Sequence, residues 1–267
     1  MLYFVATPIG NLADISLRAI EILKSVDLIA CEDTRHSLKL LNSLEIKKPL
    51  FSYHKFNEKK QAEYIIEELK KGKNIAVISD AGTPVISDPG NVLTKMLSES
   101  QIKYTVIPGA TAFVSALILS GLDASRFTFI GFLPEKNKDR EALLKTYKNS
   151  KETLIFYSAP HDVNDYFKSL YLVFGDRKAV AVKEITKLHE TVYKFNLTSA
   201  HIDEPKGEFV ILVEGATDIV SEGFNISEEE HVKLYISRGL SKKEAIKKVA
   251  EERGISKNSL YKYTIEE

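Results

Sequence analysis

A single cysteine, Cys31, is all the thiol that this chain contains, which excludes an intrachain disulfide. It stands in the apolar run Leu28-Ile29-Ala30-Cys31, where a thiol packs as a small hydrophobe, and its isolation fits a reducing compartment. No stretch approaches the ~18 apolar residues of a membrane-spanning helix. The start, Met1-Leu2-Tyr3-Phe4-Val5, has neither the basic segment nor the length of a signal peptide. These absences predict a cytoplasmic protein. Charge of one sign is also missing. Lys plus Arg and Asp plus Glu both number 37 in 267 residues, so only the distribution of charge can point to nucleic acid.

The familiar site motifs are absent as well. No Gly-x-Gly-x-x-Gly follows the first strand pattern, no Gly-x-x-x-x-Gly-Lys-Ser/Thr occurs, and there is no Gly-x-Ser-x-Gly elbow. The six histidines keep no metal-ligand spacing, and one cysteine cannot build a zinc site, so no metal is expected.

What is present is a regular alternation. Leu2 to Ala6, Leu28 to Cys31, Pro49 to Tyr53, Ile75 to Ile78 and Tyr104 to Ile107 read as strands. Helical patterns stand between them, and an apolar helix follows from Ala112 to Leu119. Strand and helix alternating at least four times, with continuous apolar strands, predict a parallel sheet covered on both faces. Loops 7–11, 32–36, 79–86 and 108–112 then gather at the carboxyl ends of the strands, where open α/β sheets bind ligands.

The richest of these loops is Ser79-Asp80-Ala81-Gly82-Thr83-Pro84-Val85-Ile86-Ser87-Asp88-Pro89-Gly90. Its glycines permit a close approach of backbone to ligand, and its prolines stiffen the turns. Asp80 to Ile86 reads as a ligand segment. Asp88-Pro89 reads as an N-cap and first residue of the next helix. The loops offer main-chain groups and small apolar surface. That lining suits a neutral or zwitterionic cofactor better than a polyphosphate.

Gly121 to Ser125 looks like a hinge. Beyond it, strands at 127–132, 153–157, 178–183, 190–195 and 207–214, with helices only among the first of them, predict a second, mixed sheet that is partly antiparallel. After Ile226 the pattern is helical, with Ala250, Gly254, Ser256 and Leu260 spaced as in helix-turn-helix units. Nine Lys or Arg fall between His231 and Tyr263, against Glu244, Glu251 and Glu252, and this cluster is the candidate nucleic-acid contact. The predicted domains are therefore 1–120, 121–225 and 226–267.

Several segments together carry a resemblance: Val5-Ala6-Thr7-Pro8-Ile9-Gly10-Asn11-Leu12, Cys31-Glu32-Asp33-Thr34-Arg35, Ser79 to Pro84, Ser87-Asp88-Pro89-Gly90 and Gly131-Phe132-Leu133-Pro134. In this order they resemble the small-subunit ribosomal RNA methyltransferases of the tetrapyrrole methylase superfamily. The resemblance covers almost the whole chain. It implies a two-domain class III methyltransferase fold, S-adenosylmethionine held between the domains, and a homodimer. The implied reaction is 2′-O-methylation of a cytidine in the decoding region of 16S rRNA, on free rRNA or the small ribosomal subunit. The alternative within the same fold is methylation of a tetrapyrrole or other small molecule, which would not need the basic tail.

Carried over by motif, the implied cofactor residues are Ile9, Gly82, Thr83, Ile86, Thr111, Ala112, Tyr157 and Ala159. Tyr157 reads equally as a core residue. The chain departs from the family pattern at Ser158 and Asp162, and at Lys183-Glu184-Ile185-Thr186-Lys187, where the family begins with Arg. For removal of a hydroxyl proton the candidates are Glu32, Asp33 and Asp80, with His54 behind them. Arg35, Lys242, Lys243, Arg253 and Lys257 are the candidate RNA contacts.

Overall fold

The computed structural model describes residues 1–217, 226–237 and 239–261. They form two compact units, one of Met1–Lys148 with Glu152–Glu214, the other of Asn149–Lys151 with the described residues from Gly215 onward. The expected domain 1–120 lies in the first unit, together with residues 121–148 and 152–214 of the expected domain 121–225. The last eight residues of the predicted second domain, and Arg238 and Lys262 of the basic cluster, fall outside the described residues.

The chain opens with β1 (Leu2–Val5), α1 (Leu17–Ser25), β2 (Leu28–Cys31), α2 (Thr34–Ser43), β3 (Leu50–Ser52), α3 (Glu58–Lys70), β4 (Ile75–Ile78), α4 (Asn91–Glu99), β5 (Tyr104–Ile107) and α5 (Ala112–Ser120). The five strands form one sheet in the order β3-β2-β4-β1-β5, and every pairing is parallel. β4 returns between β2 and β1, with Leu2 opposite Ile75 on one side and Tyr104 on the other. The loops that leave β1, β4 and β5 therefore emerge side by side. One face of the sheet packs Leu2, Phe4, Val77, Ile65 and Leu93, the other Val5, Ile29, Ala76, Leu23 and Leu41. β1, β2 and β4 are buried on both faces, as their continuous apolar runs demand. β5 differs: it is the sheet edge, and Tyr104 and Val106 are exposed.

The second sheet is built from β6 (Phe127–Phe132), α6 (Asn137–Thr146), β7 (Thr153–Ser158), α7 (Val163–Phe174), β8 (Lys178–Lys183), β9 (Thr191–Asn196) and β10 (Phe209–Val213). Its order is β6-β7-β10-β8-β9. β6 and β7 run parallel and the other pairs antiparallel, so the sheet is mixed as predicted. Helices α6 and α7 cover one face with Leu144, Tyr166, Phe167 and Leu170. The other face is covered by α5 of the first domain, whose Ala116 and Leu117 pack with Ile155, Val180, Val182 and Val210. Burying Leu117 there contributes about 2 kcal/mol. This shared layer is why the two sheets make one compact unit. An apolar side of α5, with Val114, Ile118 and Leu119, stays exposed.

The smaller unit holds α8 (Glu228–Ser237), α9 (Lys242–Arg253) and α10 (Lys257–Tyr261) around Val232, Ala245, Ile246, Val249, Ala250 and Leu260. Ser241 and Glu244 form a reciprocal capping box at the start of α9, and Gly254 ends it in the left-handed conformation.

Candidate active site

Three loops of the first sheet are stitched to one another by main-chain and threonine hydroxyl hydrogen bonds. Thr7 and Gly82 form an isolated antiparallel bridge, with Thr7 N donating to Gly82 O at 2.9 Å and Gly82 N to Thr7 O at 3.1 Å. The buried Thr7 hydroxyl donates to Ser79 O at 3.2 Å. The Thr83 and Thr111 hydroxyls share a 2.9 Å hydrogen bond, and Thr83 also donates to Ala110 O. Gly82 sits at φ 85°, and a Cβ there would come within 3.2 Å of Ile9. A glycine is thus required twice over, by conformation and by space.

The second sheet closes over these loops. β6 carries a bulge between Phe129 and Gly131, and Gly131 stands at φ 79°. A Cβ on it would lie 3.2 Å from Ser87 Oγ, so the two domains touch closely here. The bulge delivers Phe132 to the cavity mouth, 58% exposed, with its ring edge-on to Tyr157 at 5.5 Å. Tyr157 in turn meets Phe129 at 4.9 Å.

The resulting cavity measures about 450 Å³, within the range of small-molecule sites. Ile9, Gly82, Thr83, Ile86, Thr111, Ala112, Tyr157 and Ala159, the eight residues singled out in sequence, all line it. Asp80 lines it too, whereas Glu32, Asp33 and Arg35 stand outside its walls. Main-chain groups and small side chains dominate the first-domain wall. Val182, Ile185, Phe209 and Val210 supply an apolar wall from the second sheet.

Three lining residues carry signals that sequence reading passed over. Phe132 lay in a motif recognised without a role. Lys187 closes the Lys-Glu-Ile-Thr-Lys segment and is bound to Glu184 at 2.8 Å and Glu208 at 3.1 Å. Burial pulls the Lys187 pKa down, but those two hydrogen bonds outweigh it and raise it. The third is Asp88, which the sequence pattern Asp88-Pro89 predicts as the cap of the next helix. Asp88 does not cap the following helix. The N-cap of α4 is Gly90 at φ 147°, without a side-chain cap of its own. Glu58 Oε1, from α3, accepts from Gly90 N at 2.7 Å and Val92 N at 3.2 Å instead.

The carboxylates at this edge differ sharply in environment. Asp33 caps α2 and binds Arg35 through both oxygens, the shorter side-chain contact being 2.9 Å. Those hydrogen bonds hold its pKa down to about 2. Asp80 Oδ1 accepts from Asp33 N at 3.2 Å. Burial raises the Glu32 pKa, the Asp80 charge adds to this, and His54 opposes it. Burial first, then the charge of Glu32, pushes Asp88 up to about 6, with Ser79 opposing and Asp80 adding. Burial likewise pushes Tyr157 up to about 12. Cys31 is fully buried and its pKa is raised by burial, which makes it packing material. Among the described residues no group of acidic, His or Cys side chains has the geometry of a metal site.

The candidate RNA residues divide. The Arg35 side chain is 88% exposed although ion-paired with Asp33. Lys242, Lys243 and Lys257 are exposed on the helical unit. Arg253 is turned inward. Its Nε donates to His231 Nδ1 at 3.0 Å and its Nη2 to Ile226 O at 2.6 Å, which ties the end of α9 to the start of α8.

The pattern of the family described as Tetrapyrrole (Corrin/Porphyrin) Methylases matches residues 1–201. A Bacillus subtilis (strain 168) protein named "Ribosomal RNA small subunit methyltransferase I" is 42% identical over 270 aligned positions, covering 98% of this chain and 92% of that protein. A Pasteurella multocida (strain Pm70) protein of the same name is 44% identical over 273 aligned positions, covering 100% and 97%. Among solved structures, the methyltransferase CobJ matches with a TM-score of 0.62 at 17% identity, over 80% of this chain and 94% of that one. A diphthine synthase matches with a TM-score of 0.62 at 16% identity, over 81% and 90%. At such identities the structural likeness shows the fold alone.

Proposed function

This chain belongs to the tetrapyrrole methylase family, among the ribosomal RNA small subunit methyltransferases I, and from that premise we propose that it methylates the ribose 2′-oxygen of a cytidine in the decoding region of 16S rRNA. The methyl donor in this reading is S-adenosylmethionine. The observation that carries it is the convergence of eight motif residues, from three loops of one sheet and a strand end of the other, on one cavity. The cavity fits such a donor: main-chain groups at 82–83 and 111–112 suit a zwitterion, and the Phe132–Tyr157 corner suits an aromatic base. Gly82 keeps the wall open where a Cβ would press on Ile9.

When bound, the donor supplies a methyl group already activated by a sulfonium. The chain's own tasks are then to position the ribose oxygen and to take its proton. The stitched loops hold the donor side rigid, because moving one loop breaks hydrogen bonds in the next. The acidic edge at Glu32, Asp80 and Asp88 provides proton acceptors. Lys242, Lys243 and Lys257 on the helical unit would neutralise RNA phosphates. The relatives at 42% and 44% identity favour RNA over a tetrapyrrole, and the basic helices give that choice a physical basis.

A homodimer is part of the proposal. The exposed apolar side of α5, with Ile118 at 74%, and the exposed edge strand β5 are surface that a second copy would cover. A cytoplasmic location is the remaining part; among the described residues no helix is long and apolar enough to cross a membrane.

The test is mass spectrometry of small ribosomal subunits, and separately of naked 16S rRNA, incubated with the protein and methyl-labelled S-adenosylmethionine. The expected result is label on the 2′-oxygen of one cytidine. Label on a base alone, or none, overturns the proposal.

A further inference from the structure

At the carboxyl end of β3 the chain makes a tight turn, His54-Lys55-Phe56-Asn57, before α3 begins. Asn57 N donates to His54 O at 2.9 Å and closes the turn. The Asn57 side chain locks it from inside. Its Oδ1 accepts from His54 N at 2.8 Å, and its Nδ2 donates to Ser52 O at 3.2 Å. The same Nδ2 lies 3.3 Å from His54 Nε2, so one amide holds both the backbone and the imidazole ring. On this fixed turn Phe56 is 95% exposed, more than any other large apolar side chain among the described residues. Its ring meets that of His54, at 6.1 Å and 67°, and leaves its faces to solvent. Central turn positions ordinarily carry Gly, Asn, Asp or Ser. A phenylalanine there adds nothing to the core.

The ground around Phe56 is cationic. Lys55, Lys59 and Lys60 are all exposed, and none of the three has an ion-pair partner among the described residues. Lys59 and Lys60 stand in the first turn of α3, where the helix dipole disfavours cations. The acid of that turn, Glu58, is engaged by Gly90 N, Val92 N and the Tyr53 hydroxyl. At the other end of α3 the pattern is the opposite: Lys71 and Lys73 both pair with Glu68. The lysines beside Phe56 are therefore not placed to stabilise their own helix.

We propose that Phe56, flanked by Lys55, Lys59 and Lys60, is a stacking site for an unpaired base of the RNA substrate, beside the nucleotide that is methylated. This rests on the reading of the substrate given above. Any base can stack on an exposed aromatic ring, and lysines around the ring meet the phosphates on either side of that base. In helical RNA the bases stack on one another, so such a ring selects an unpaired segment. A protein partner fits this surface less well, because lysine is depleted from protein interfaces.

The sheet order fixes where the stacked base lies. β3 is two strands from β4, about 10 Å across the sheet. Between them β2 pairs Cys31 with Ser52, and the loop after β2 carries the exposed Arg35. The His54 charge reaches Glu32, so the turn adjoins the acidic edge of the cavity. The base on Phe56 is thus a neighbour of the target nucleotide and not the target itself.

The test uses the full-length protein and a short fluorescein-labelled single-stranded RNA copied from the decoding region, with the same strand annealed to its complement as a control. By fluorescence anisotropy, Phe56→Ala is expected to weaken the single strand about tenfold and the duplex by less than about twofold. Phe56→Tyr should keep wild-type affinity, whereas Phe56→Leu should behave as Ala does. Phe56→Ala should leave the slope of log affinity against log salt unchanged. Lys55→Ala, Lys59→Ala and Lys60→Ala combined should reduce that slope by about 0.7 for each lysine that touches phosphate. Phe56 is not packed, so Phe56→Ala should melt with the wild type and bind S-adenosylmethionine as well. On small ribosomal subunits with labelled S-adenosylmethionine, it should raise KM and leave kcat in place.

Single-strand affinity unchanged in Phe56→Ala overturns the site, as does a Tyr variant as weak as Ala. An equal loss on the duplex overturns stacking. A loss on small subunits without one on the bare strand makes a ribosomal protein the occupant, and overturns the proposal too. Wild type that labels no ribose, while single-strand binding still depends on Phe56, overturns the substrate reading and leaves the stacking site standing.

Discussion

The two ends of the loop between β4 and α4 are built on opposite principles. Ser79 to Thr83 is bound to its neighbours on both sides: Thr7 pairs with Gly82 through main chain, and the Thr83 hydroxyl with the Thr111 hydroxyl and Ala110 O. Val85 to Gly90 has little such pairing. It runs through left-handed residues, is clasped at its far end by Glu58, and presents a carboxylate among carboxylates. The first end builds a rigid, neutral seat. The second concentrates charge and strain.

That comparison breaks most visibly at Gly82. Gly82→Leu forces a side chain onto φ 85° and against Ile9. S-adenosylmethionine affinity measured by calorimetry is expected to fall at least about 100-fold, roughly 2.7 kcal/mol. Affinity unchanged would mean that the stitched end is not the seat. A smaller effect is expected from the helical unit. Replacing Lys242, Lys243 and Lys257 together by Ala should leave cofactor affinity intact and weaken RNA binding. The slope of log affinity against log salt should fall by about 1 for each lysine that touches phosphate. An unaltered slope would remove those lysines from the RNA interface. The smallest effect belongs to Thr111→Val, which takes away one hydroxyl pair at 2.9 Å. It should cost about 1 kcal/mol, seen as a few-fold loss in cofactor affinity by calorimetry.

Local signals were enough to find the seat. Strand, turn and helix-start residues lie within a few positions of one another at 7–11, 79–83 and 108–112, and a parallel sheet brings any such turns to one edge. The acid edge was legible only in part. Asp80 and Glu32 were found because they end strands. Asp88 was misread as a cap, since the residue that displaces it lies on α3 and nothing in the spacing of 79–90 reveals Glu58. Arg253 shows the same limit. Its place in a basic run suggests solvent, and only the packing of α8 against α9 turns it toward His231 and Ile226. The apolarity of α5 marks a buried helix, but not that it would cover the sheet of the other domain while leaving Ile118 exposed.

The sequence by itself determined the alternation of strands and helices, the parallel first sheet, the mixed second sheet, and which turns meet at one edge. These follow from periodicity and turn chemistry, which act over a few residues. The tertiary structure decided which carboxylates line the cavity, how the β6 bulge carries Phe132 to its mouth, and which cations remain exposed. Those depend on burial and on partners tens of residues away. Desolvation and the summed charge of neighbours have no expression in local sequence.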